Sequence, residues 1–200
     1  MKQFNRLNFL IMTIITIWGG LNLQVTLFYM IYLFWFMELL RTLIDFTYLF
    51  KHKKSSLERN LLKKSLSGSL FLMFVYFVFI IVIFGFIISL NDVEDFATNV
   101  SIFYFRNWFF NLNLILFAAQ YLYFRLRSKD IQFPFHAFNN RHIVLHISII
   151  FGAMIYFIVL PRIDVSQALK GILVALPFIL LKAFFDFRGN KKQVFTESNV

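Results

Sequence analysis

The sequence predicts an all-α fold: a polytopic transmembrane helix bundle of about six spans with both termini cytoplasmic. Three observations predict it. Of 200 residues, 60% are hydrophobic and the mean hydropathy is +0.71, whereas soluble domains are about 45–50% apolar. Six apolar runs, at 7–21, 23–50, 68–90, 107–124, 142–160 and 172–187, approach or exceed the ~20 residues a helix needs to cross roughly 30 Å of hydrocarbon. The Lys and Arg residues fall in alternate gaps between these runs. Two precede the first run, six lie in Lys51–Lys64, four in Arg125–Arg141 and three in the tail, against Arg106, Arg162 and Lys170 in the other gaps. Basic residues collect on the cytoplasmic side of membrane proteins, which fixes the orientation. Residues 1–190 read as a single transmembrane domain and 191–200 as a polar cytoplasmic tail.

Lys2 and Arg6 ahead of Leu7–Trp18 have the order of a signal peptide's basic and apolar regions, but no small-residue cleavage motif follows. A short first span over 7–21 is expected, with a re-entrant or interfacial segment as its alternative. Asn22 and Gln24 mark a tight outer turn before the second span. Lys51–Ser67 reads as a cytoplasmic loop in which Leu57, Leu61, Leu62 and Leu66 recur at helical spacing, so it is either solvated or laid as an amphipathic helix on the inner surface. The third span, 68–90, has Tyr76 as its one ionisable group and is expected to face lipid most. Asn91–Val100, with Asp92, Glu94 and Asp95 and no base, is an outer loop. In the fourth span Asn113 and Gln120 share a face, as interhelical hydrogen bonding requires. Arg125–Arg141, containing Pro134, is a second cytoplasmic loop, and Pro161 ends the fifth span.

The second span is the unusual one, because it carries Glu38, Arg41 and Asp45. Their steps of three, four and seven put all three on one helix face, and that face cannot look at lipid. A rise of about 1.5 Å per residue sets Asp45 about 9 Å from Lys51, Lys182 about 9 Å from Arg188 and His146 about 7 Å from Arg141. Spans two, five and six are therefore expected to contribute one polar cluster: Glu38, Arg41, Asp45, Arg141, His146, Lys182 and Asp186. Within the spans Glu38, Asp45 and Asp186 outnumber Arg41 and Lys182 by one carboxylate, which a proton, a charged His146 or a bound cation would balance. His142 and His146, four apart, have the spacing that sets two imidazoles beside one metal ion. No second paired-ligand helix accompanies them, and the expectation is a chain without metal or cofactor.

Three segments carry a likeness: IYLFWFMELL around Trp35 and Glu38, RHIVLHISIIFG around Arg141, His146 and Gly152, and LLKAFFDF around Lys182 and Asp186. In these segments the chain resembles an uncharacterised family of bacterial integral membrane proteins, a domain of unknown function. The family pattern has an aromatic residue and Glu in an early span, Arg with His five residues on, and Lys with Asp four residues on. Members also carry histidines in the third and fourth spans, where this chain has Tyr76 and Gln120. The resemblance implies a multi-pass fold in the inner (plasma) membrane and no particular activity.

The absence of Cys excludes disulfides, thiolate metal sites, a Cys nucleophile and Cys-linked lipid anchors. No phosphate-binding glycine loop or activated serine is present. The net charge of +10 follows the membrane topology, so anionic headgroups on the cytoplasmic face, rather than nucleic acid, are the expected counter-surface. Other expected partners are the bilayer itself and either a second copy or a membrane-complex subunit. The expected function is that of an integral membrane protein with no specific activity legible, whose buried polar cluster in the cytoplasmic half of the bundle is at least partly structural; a proton or small-cation transporter or channel is the second reading and a membrane-embedded enzyme the third, with a structural or assembly subunit of a membrane complex as a further alternative.

Overall fold

The computed structural model describes residues 2–51, 56–87, 93–127 and 140–162, together with 166, 169–173, 175–180 and 183. Of the described residues 92% are helical and none is in a strand. The helices are α1 (Lys2–Leu21), α2 (Leu27–Lys51), α3 (Ser56–Phe79), α4 (Val93–Phe103), α5 (Trp108–Arg127) and α6 (Asn140–Met154). The final helix, α7, lies within Leu169–Leu180. Two stretches, Leu27–Tyr48 of α2 and Lys63–Ile87 starting in α3, are long and apolar enough to cross a membrane.

α2 is the hub, packing against α3, α4, α5 and α6. Its apolar window is 61% buried, against 22% for that of α3. The difference follows from sequence: α2 is apolar on all sides between Leu27 and Met37, so it needs neighbours all round. Tyr29, Ile31 and Tyr32 are wholly or almost wholly enclosed. The Tyr32 ring stacks on Phe28 at 4.9 Å, Trp35 at 5.8 Å and Phe110 at 5.6 Å, and meets Phe36 edge-on at 4.9 Å. Offset and edge-on contacts of this kind contribute about 0.5–1.5 kcal/mol each beyond burial.

The start of α2 is fixed by Thr26, whose hydroxyl accepts the Tyr29 N–H at 3.1 Å as an N-cap. Asn107 does the same for α5, accepting the Phe110 N–H at 2.9 Å. Each cap follows a helix that ends on a left-handed residue, Leu23 and Phe105, both with φ of 58°. The two turns are tied to each other, because the Asn107 amide donates to the Gln24 backbone carbonyl at 2.9 Å and to its side-chain oxygen at 3.1 Å.

Three expectations are corrected here. Of the two readings of Lys51–Ser67, the loop is corrected: Ser56–Ser67 is helical and is the first half of α3, which continues as a π-helical stretch over Ile80–Ile87. Nothing between Ser56 and Ser67 breaks a helix, and Gly68 alone does not stop one. The combined length, about 45 Å, exceeds the hydrocarbon thickness of a bilayer. In the expected outer loop Asn91–Val100, of which Asn91 and Asp92 lie outside the described residues, Val93 onward forms α4, with Glu94 and Asp95 in the first turn where the helix dipole favours acids. α5 runs on to Arg127, so Arg125 is a helical residue and not a loop residue. Pro161 lies in a 3₁₀ turn, Leu160–Arg162, that follows a π stretch at Ile155–Val159.

α6 approaches α2 through Gly152. A Cβ there would stand 2.7 Å from Ile31 Cδ1 and 3.0 Å from Leu27 Cδ1, so the absence of a side chain sets the distance between the two helices. Gly152→Leu is expected to lower unfolding stability in detergent by about 1–3 kcal/mol, and Gly152→Ala by less, because the Ile31 terminus can turn aside. Equal stability of Gly152→Leu and the unchanged protein, by thermal or denaturant unfolding, would show that α6 does not pack there.

Candidate functional site

The charged face of α2 meets α5 along its Lys51-proximal half. Asp45 is 2% exposed and Arg125 7%, and the Arg125 Nη2 lies 2.5 Å from Asp45 Oδ1. Tyr121, one turn before Arg125, donates its hydroxyl to the same oxygen at 2.7 Å. The Arg125 guanidinium also sits over the Tyr48 ring at 5.6 Å. Asp45 is therefore neutralised and hydrogen-bonded from one neighbouring helix, the condition under which a buried carboxylate is tolerated.

Glu38 and Arg41 form a second, looser pair, with Arg41 Nη1 at 3.4 Å from Glu38 Oε2. The Arg41 guanidinium lies 5.0 Å from the Phe117 ring centroid and 5.8 Å from that of Tyr121, a cation–π arrangement that holds the cation against α5. Tyr121 thus serves both pairs: its ring faces Arg41 and its hydroxyl binds Asp45. Thr42 sends its hydroxyl back to the Glu38 carbonyl at 2.9 Å.

A second polar group stands nearer the Thr26 end of α2. The Asn113 amide, wholly buried, donates to Thr16 at 3.0 Å and to the Tyr29 hydroxyl at 2.8 Å, joining α1, α2 and α5. Thr26 donates to Asn99 at 2.6 Å, which joins α4 to the same region. Tyr29 and Glu38 are nine positions apart, about 13 Å of helix. In Met30–Met37 the side-chain polar atoms belong only to Tyr32 and Trp35, and the Trp35 indole N–H is engaged with the Met73 carbonyl at 2.8 Å.

Of the residues picked out from sequence, Glu38, Arg41 and Asp45 share one face and are brought to α5. His146 is placed beside Tyr76, its Nδ1 at 3.3 Å from the phenol oxygen. Trp35 is bonded one turn along α3 from Tyr76, and Asp45 is ten residues beyond Trp35, so the His146 level and the Asp45 level differ by about 15 Å. Lys182 and Asp186, and the side chains of Arg141 and His142, lie outside the described residues. Among the described residues no three metal-capable side chains come together.

Arg125 and Tyr121 are the site residues that sequence reasoning missed. A signal was present in the charge tally: three intramembrane carboxylates against two bases asks for another cation, and Arg125 supplies one. Counting it in a loop hid it.

Arg125→Ala is expected to cost about 3–5 kcal/mol of unfolding stability by leaving Asp45 buried and unmatched. Arg125→Leu with Asp45→Leu should cost much less than the two single changes added together, and Tyr121→Phe about 1 kcal/mol. Additive losses in a detergent unfolding cycle would show that the two charges are not coupled.

No family model, curated protein or solved structure matches the chain.

Proposed function

We propose that this is a multi-pass integral membrane protein, of six spans with both termini cytoplasmic, that acts as a structural or assembly component of the inner (plasma) membrane. On this reading it has no enzymatic activity, and it belongs with the uncharacterised bacterial membrane family that its sequence resembles. The observation that carries the proposal is the pairing at the α2–α5 contact. Asp45 is matched by Arg125, Glu38 is matched by Arg41, and Tyr121 joins the two pairs. Once Arg125 is counted, the intramembrane acids no longer exceed the bases, so the cluster does not call for a transported proton or cation. The apolar interval between Tyr29 and Glu38 argues in the same direction, since a proton relay needs closely spaced exchangeable groups.

A proton or small-cation pathway is the second reading. It has in its favour the 27% exposure of the Arg41 side chain beside buried Glu38, which leaves that pair open to the surroundings on one side.

Two measurements test the proposal. In a chain without native Cys, single cysteines placed in Lys51–Lys64 should be labelled only after the cytoplasmic side is opened. Labelling of those positions from outside intact cells would reverse the topology. In pH-sensitive liposomes the purified protein should show no proton or cation flux above empty vesicles. A flux that disappears in Glu38→Gln with folding preserved would establish the pathway and displace the structural reading.

A further inference from the structure

We infer that the two tied turns, 22–26 and 104–107, seat their end of the bundle in the phosphate and glycerol-ester layer of the outer leaflet, with Trp18, Trp108 and Arg106 as the side chains that meet phospholipid. The inference rests on the membrane reading above and names the partner of one surface. Contacts across the bundle put these residues at one level. Trp18 meets the Phe109 ring edge-on at 5.6 Å, a Cβ on Gly19 would stand 3.0 Å from Phe109 and 3.1 Å from Val25, and Asn107 bonds Gln24 of the other turn. At that level the exposed surface changes character. From Leu7 to Leu21 every exposed residue of α1 is Leu, Ile or Trp, and from Trp108 to Leu126 every exposed residue of α5 is apolar or aromatic. The α5 face is 18 positions, about 27 Å, long, which matches a hydrocarbon core of roughly 30 Å. The turns, by contrast, expose Asn22 and Arg106.

Trp18 is 61% exposed and Trp108 70%, and Tyr104 of the second turn is exposed as well. An aromatic ring that carries one polar handle suits the boundary where acyl chains give way to ester carbonyls. Arg106 is the only charge in either turn, and a guanidinium is the side chain best matched to a phosphate. The backbone of the turns is closed from within, as a chain at the edge of hydrocarbon requires. The Asn22 amide donates to the Trp18 carbonyl at 2.8 Å, and the Asn111 amide donates to the Phe105 carbonyl at 2.7 Å. α4 belongs to the same layer. Its 11 residues reach about 16 Å, half the hydrocarbon thickness, so it cannot cross, and Asn99 ties it to Thr26 at the head of α2.

The test uses the full chain in phosphatidylcholine vesicles whose acyl chains carry bromine, a contact quencher of tryptophan, either near the ester or near the terminal methyl. The chain has three tryptophans, and Trp35 is enclosed, so the quenchable emission belongs to Trp18 and Trp108. Quenching should be stronger with bromine near the ester. Trp18→Phe and Trp108→Phe, which keep a ring at an exposed position, should each lose part of that quenching, and the double variant most of it. Stronger quenching by bromine at the terminal methyl, no lipid quenching in a protein that withstands alkaline carbonate extraction, or a double variant quenched as much as the unchanged chain would overturn the inference. Carbonate extraction reports on membrane embedding separately. Release would remove the membrane reading, whereas retention with quenching at the wrong depth would remove only the placement of these turns.

Discussion

Everything in the bundle depends on matching a charged face of the central helix inside an apolar setting. α2 brings Glu38, Arg41 and Asp45 into an apolar setting because the same helix is needed, through Tyr29, Ile31 and Tyr32, to fill the middle of the molecule. Moving α2 away from α5 would leave Asp45 buried without Arg125 and Tyr121. α5 resolves the conflict by lying along that face with Phe117, Tyr121 and Arg125 at successive turns. Its amide end at Asn113 fixes the same helix against α1, so the α2–α5 contact is pinned at both ends by polar groups and filled between them by rings.

The arrangement uses geometry more than charge alone. A guanidinium in hydrocarbon is tolerable only where its planar faces and its edges both find partners. Arg125 has a carboxylate at its edge and Tyr48 beneath it, and Arg41 has Glu38 at its edge and two rings on its face. Lysine in either place would keep the charge and lose the stacking.

Much of this was legible in the sequence, and the parts that were not share a cause. The helical class, the face holding Glu38, Arg41 and Asp45, the turn at Asn22–Gln24 and the bonding role of Asn113 follow from period and residue type, which are local properties. Arg125 was misjudged because a cation beside an apolar run looks like a topogenic charge whether it lies in water or turns back into the bundle. Burial of its head by Asp45 is a long-range property. The helical character of Val93–Phe103, and the continuity of Ser56–Ser67 with the apolar run after it, were hidden for a related reason. Hydropathy marks where a segment sits and says little about whether a polar stretch keeps its helix. The pairing of His146 with Tyr76 needs the relative heights of α3 and α6, which are set by Trp35 and Gly152, and neither residue announces a register in one dimension.

The cross-tie between the two turns has a consequence for how the protein is made. The partners on α5 that secure the first hairpin come late in the chain. Gln24 is separated from Asn107 by 83 positions, Thr16 from Asn113 by 97, and Asp45 from Tyr121 by 76. At translation rates of about 5–20 residues per second, 76 residues take roughly 4–15 s. Throughout that interval α1 and α2 exist as a nascent hairpin whose carboxylates have no cation from α5 and whose amide acceptors are vacant. The hairpin must wait until α5 emerges before these contacts can close, so completion of this fold is gated by its fifth helix.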